Sequence, residues 1–102
     1  MSTDNITWTF LSNHAQALLC IARDPEVRIR DIAQMVGVTE RAAHRIVSDL
    51  INAGYVDRNK VGRRNRYRLY NDVKMRHAAQ ADHGIGALLE TFQLPQEDGR
   101  RV

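Results

Sequence analysis

This sequence has few of the residues that staple, break or anchor a chain. In 102 residues there is one cysteine, Cys20, and two prolines, Pro25 and Pro95. A single cysteine excludes an internal disulfide and fits a reducing compartment. Aromatics make up only 6%, so aliphatic side chains have to build the core. No apolar run is long enough to cross a bilayer, and the opening MSTDNITWTF has neither the cationic start nor the apolar stretch of a secretion signal. The expectation is a cytoplasmic protein that makes no use of a membrane. Also missing are a glycine-rich phosphate loop, a Cys-x-Cys pair and any motif joining Ser, His and Asp, so neither an enzyme nor a cofactor is expected. His14, His44, His77 and His83 are too scattered for a ligand set, and no metal site is assigned.

Acidic residues are absent from one basic stretch. Arg58, Lys60, Arg63, Arg64, Arg66 and Arg68 follow one another with no Asp or Glu among them. The chain as a whole carries only +3, but residues 28–68 carry +6 and the remainder −3. Charge gathered in this way suits contact with the phosphates of a nucleic acid. The 43% apolar content is enough for one compact domain, and the length is too short for two.

The most informative segment is Arg30 to Gly54, RDIAQMVGVTERAAHRIVSDLINAG. Ile32, Ala33, Met35 and Val36 form the apolar set of one helix, and Gly37 supplies the positive φ of its stop. Val38 plugs the corner. Thr39 is a good N-cap for a second helix, and Glu40 suits the positive end of that helix's dipole. Ala43, Ile46, Val47 and Leu50 repeat at i, i+3, i+4, i+7 and must face a core. Arg41, His44, Arg45, Ser48 and Asn52 fall on the other side. The pattern is a helix-turn-helix, with Thr39, Arg41, His44, Arg45 and Ser48 on the face a recognition helix turns to base edges. Small Ala33 and Ala43 allow the two helices to cross closely.

The flanks complete the arrangement. Ser12 or Asn13 can cap an earlier helix with Ala15, Leu18, Leu19 and Ala22 as its stripe, and Asn13 with Gln16 resembles a capping box. Asp24-Pro25 ends it. Val27 and Ile29 alternate with charges, which predicts a short strand able to join the hairpin that follows. That hairpin is read as Tyr55–Val61 and Asn65–Tyr70 around Gly62, with Tyr67 and Leu69 inward and the arginines outward. Lys60, Arg63, Arg64, Asn65 and Arg66 are its candidate DNA contacts, because guanidinium matches phosphate in a two-pronged geometry. Residues 71–83 fit either an extended arm or a short helix. Ile85, Leu88, Leu89 and Phe92 predict a helix near 84–93, and residues 95–102 read as a frayed tail. Trp8 and Phe10 need burial, either as a lid on the core or in a subunit interface. Cys20 is expected as a buried core thiol.

Helix, helix-turn-helix and basic hairpin together resemble a winged helix-turn-helix transcriptional regulator of the MarR-like and ArsR-like groups, over roughly residues 10–70. The resemblance implies a mainly α fold with a small antiparallel β-hairpin: a three-helix core plus wing and a C-terminal helix. The corresponding division is an N-terminal segment 1–11, a DNA-binding domain 12–70 and a C-terminal arm 71–102 available for dimerisation. It also implies sequence-specific binding of double-stranded DNA by a homodimer whose recognition helices stand about 34 Å apart. The alternative is a winged helix used as a protein- or RNA-interaction module. The tip of this wing, Gly62 to Arg66, lacks the Asp-x-Arg element common in MarR-like wings. Whether a small molecule binds between the domain and the C-terminal helix is left open.

Overall fold

The computed structural model describes residues 8–94. Three helices come first, α1 (Asn13–Arg23), α2 (Ile29–Val36) and α3 (Glu40–Asn52). A two-stranded antiparallel hairpin follows, β1 (Val56–Val61) and β2 (Arg64–Leu69), then a 3₁₀ turn at Ala78–Gln80 and a short α4 (Gly86–Thr91). This is the winged helix-turn-helix layout. None of the helices among the described residues is long and apolar enough to cross a membrane.

Helix boundaries follow local chemistry. Ser12, rather than Asn13, caps α1, its hydroxyl accepting from Ala15 N–H at 3.1 Å. Thr39 caps α3 in the same way from Ala42 N–H at 3.0 Å. Gly37 ends α2 at φ +89°, a left-handed conformation that lets the chain turn at once into the next cap. Ala33 and Ala43 are both buried where α2 and α3 meet. All six residues from Ala17 to Ala22 are buried, so α1 is the central rod of the core and not a helix with one stripe.

Two expectations fail here. Met35 belongs to the apolar set of α2 by spacing, yet it is 57% exposed: Ile32 and Ala33 are the residues of this short helix that are buried, and Met35 reaches α1 only through its sulfur, 3.9 Å from Cys20 Sγ. Val27 and Ile29 form no strand. Val27 is buried and Ile29 opens α2, so the link turns helical one residue before the helix-turn-helix stretch read from the sequence. What remains of a third strand is one hydrogen bond, from Tyr67 N–H to the Pro25 carbonyl at 2.8 Å, on the outer edge of β2.

The strands pair Val56 with Leu69, Arg58 with Tyr67 and Lys60 with Asn65, joined by the two-residue loop Gly62–Arg63. Cross-strand partners share a face. Val56, Tyr67 and Leu69 are therefore buried against the helices, while Arg64, Arg66 and Arg68 line the other face with Val61, Asn59 and Asp57.

Past the wing the chain doubles back. Lys74 bridges Gly84, Met75 N–H donates to the His83 carbonyl at 3.0 Å, and Ile85 N–H to the Val73 carbonyl at 3.0 Å. Segment 71–83 is thus neither a free arm nor a helix beyond its single 3₁₀ turn. Gly84 is required by proximity, since a β-carbon there would stand 2.6 Å from the Asn71 carbonyl oxygen. The fold-back delivers Ile85 and Leu89 into the same core as the three helices. Trp8 and Phe10 stay outside it, 69% and 92% exposed and stacked edge to face at 5.2 Å, so the core-lid reading of Trp8 is excluded. The tail at 95–102 lies outside the described residues.

Candidate nucleic-acid interface

α3 buries Ala43, Ile46, Val47 and Leu50 and leaves Arg41, His44, Arg45 and Ser48 exposed, as its spacing predicted. Arg41 and Arg45 are one turn apart, about 6 Å along the axis. Among the described residues Arg41, His44 and Arg45 have no hydrogen-bond or ion-pair partner. Their donors are therefore free at no intramolecular cost. Thr39 uses a lone pair of its hydroxyl as the cap and keeps its O–H proton to donate elsewhere. At the far end of the helix, Asp49 accepts from His14 Nε2 at 2.8 Å and ties α3 to the start of α1. His14 thus links two helices while its ring stays about half exposed.

The wing cations fall into two groups. Arg58, Lys60 and Arg63 are exposed and without partners. Arg64, Arg66 and Arg68 are held. Arg64 Nη2 donates to the Glu26 backbone carbonyl at 3.0 Å, and Arg66 Nη1 pairs with Glu26 Oε2 at 3.0 Å. Arg68 lies over the Tyr70 ring, 5.6 Å from its centroid, and the Tyr70 hydroxyl donates to Asp57. That hydrogen bond raises the Tyr70 pKa, and burial adds to it.

Arg64 and Arg66, read as free phosphate ligands, therefore have an acidic neighbour that the basic run does not reveal. Glu26 is some forty residues away in sequence and is brought to β2 by the Pro25–Tyr67 hydrogen bond. Arg58 belongs to the basic run but not to the candidate contacts read from the sequence. Its pairing with Tyr67 puts it on the inward face, and its exposure shows that it extends beyond the core. Asn65 is half-buried opposite Lys60.

A polar-faced helix and a basic hairpin on one small body mark a DNA-binding module, and the sequence profile of the MarR family matches residues 5–66. The chain belongs to the MarR family. No curated protein matches it. The matched span takes in all three core helices and the wing as far as Arg66. MarR-family proteins are DNA-binding transcriptional regulators and not enzymes. The return segment and α4 lie beyond the match.

A concavity lies away from α3's N-terminal face. It is a groove of about 590 Å³ between the start of α1, the end of α3 and Arg76, lined by the His14–Asp49 pair and Tyr55. The Tyr55 hydroxyl donates to the Lys74 carbonyl at 2.6 Å. Cys20 is buried in the core, and its pKa is pushed up by desolvation against a smaller opposing effect of Arg23.

Proposed function

We propose that this MarR-family domain binds double-stranded DNA sequence-specifically, with α3 in the major groove and the wing on the backbone. The observation that carries the reading is the partnerless face of α3. Arg41, His44 and Arg45 are exposed donors on a helix whose opposite side is fully engaged in the core. Arginine pairs two-pronged with guanine O6 and N7, so Arg41 and Arg45 are the specificity residues, with His44 and Ser48 beside them. Thr39 sits at the helix start, where a hydroxyl donor suits a phosphate. In the wing, Lys60 and Arg63 are the backbone contacts, with Arg64, Asn65 and Arg66 around them.

The functional unit is a homodimer. Residues 12–70 form the DNA-binding domain in this reading, and the exposed parts of the flanking segments supply the subunit contact. Trp8, Phe10 and Phe92, the last 46% exposed, are apolar surface that a second copy would cover. A twofold axis then matches a palindromic site.

Selection of bound sites from a random duplex library tests these statements together. The expected product is an inverted repeat with guanine in each half-site. Arg41→Ala or Arg45→Ala should then relax preference at defined positions, whereas Lys60→Ala or Arg63→Ala should weaken every duplex alike and lower the salt slope by about one per residue. Failure of the unmutated protein to shift duplex DNA at moderate salt would refute the reading.

A further inference from the structure

The wing contains its own competitor for phosphate. Glu26 is held in place from three directions. Its N–H donates to Asp24 Oδ1 at 3.0 Å, its carbonyl accepts from Arg64 at 3.0 Å, and its carboxylate pairs with Arg66 at 3.0 Å. The neighbouring Pro25 carbonyl accepts from Tyr67 N–H, which sets the register between this loop and β2. Beside the pair lies a cleft of about 260 Å³ lined by Arg28, Arg63, Arg64 and Asn65, in which Glu26 is the one acid. Arg66 and Glu26 are both close to half-exposed, so the pair stands at the surface where a DNA backbone would meet the wing.

We propose that Glu26 is a positioning residue that restrains the wing's grip on DNA by occupying Arg66 in place of a phosphate. The proposal rests on the reading of the wing as a backbone clamp and adds an intramolecular brake to it. A phosphate oxygen and the Glu26 carboxylate present the same acceptor to the same guanidinium, and Arg66 cannot satisfy both at full strength. The brake acts on the sequence-independent part of binding. Without it, affinity for any duplex rises while the α3 contacts that discriminate between sequences are unchanged, so the ratio of specific to non-specific binding falls. With it, fewer released counterions accompany binding, and the protein leaves non-operator DNA sooner.

The test is Glu26→Gln, which keeps the shape and the backbone carbonyl that holds Arg64 while removing the charge. Binding of the full chain to a selected site and to an unrelated duplex is measured across a salt series. The expected result is about two- to fivefold tighter binding to both duplexes, the range an exposed ion pair allows, and a salt slope steeper by about one. Repeating the substitution in an Arg66→Ala background should abolish both effects, because the competition then has no object. Weaker binding of Glu26→Gln, an unchanged slope, or equal effects with and without Arg66 would overturn the brake while leaving DNA binding by the wild type in place. Absence of wild-type binding to either duplex would overturn both. Thermal unfolding of each variant separates a change in grip from a loss of fold.

Discussion

At the scale of single residues, three side chains carry consequences that their surroundings make definite. Thr39 gives α3 its first hydrogen bond outside the helix ladder, so Thr39→Ala should lower stability by about 1 kcal/mol in a urea titration. Tyr67 presents the opposite case. Its ring is buried under the wing, but its hydroxyl has no hydrogen-bond partner. Tyr67→Phe removes an unsatisfied buried group and should leave stability unchanged or raise it by up to about 1 kcal/mol, where a satisfied tyrosine would lose that much. Cys20 is an acid whose neutral form the fold prefers. As pH rises through the ordinary thiol range the unfolded chain ionises first, so stability present at lower pH is lost there. Urea midpoints taken on either side of that range should fall further for the wild type than for Cys20→Ala.

Among the elements, α4 is the one whose role changes most when seen in place. Its apolar spacing suggested either folding back or crossing to a mate, and the stripe divides between core and surface. Leu89 and Ile85 are fully in the core, whereas Phe92 is left outside. Leu89→Ala should therefore cost about 2–5 kcal/mol and lower the melting temperature of the whole domain. Phe92→Ala should stay within about 0.5 kcal/mol. The buried face of α3 was legible in the sequence, because a thirteen-residue helix repeats its pattern long enough to define a face. The first helix of the motif was less so, since eight residues bury only two side chains and Met35, although its sulfur touches Cys20, stays largely exposed. The missing third strand has a similar cause. Val27 and Ile29 alternate in sequence, but Arg28 adopts the extended geometry of an N-cap and Ile29 becomes the first helical residue.

For the whole molecule, the uneven charge and the exposed aromatics are the features that a partner must answer. Residues 28–68 hold a surplus of six positive charges, and among the described residues those without a partner lie on α3, on the wing and, as Arg28 and Arg30, at the start of α2. Trp8 and Phe10 have only each other. Replacing both by serine should leave the unfolding midpoint nearly unchanged, because neither supports the core. If the proposed dimer forms through these rings, sedimentation should then show a monomer for the variant against a dimer for the wild type, and operator affinity should drop with it. An unaltered dimer in that variant would remove the N-terminal aromatics from the interface.

The division between what the chain dictates and what the fold adds runs along sequence separation. Local order alone determined the caps at Thr39 and Gly37, the buried face of α3, the inward Tyr67 and Leu69, and the basic run of the wing. Each of these depends on neighbours within a helical turn or a strand repeat. Tertiary structure alone decided that Glu26 meets Arg64 and Arg66, that Asp49 is tied to His14, that Gly84 must pass close to Asn71, and that α4 divides between core and surface. Those contacts join residues from thirteen to forty positions apart, and no periodicity records which distant acid will be carried to which cation. The physical reason is that hydrophobic patterning selects a face but not a partner, while the packing of α1 against α2, α3 and the wing fixes every partner at once.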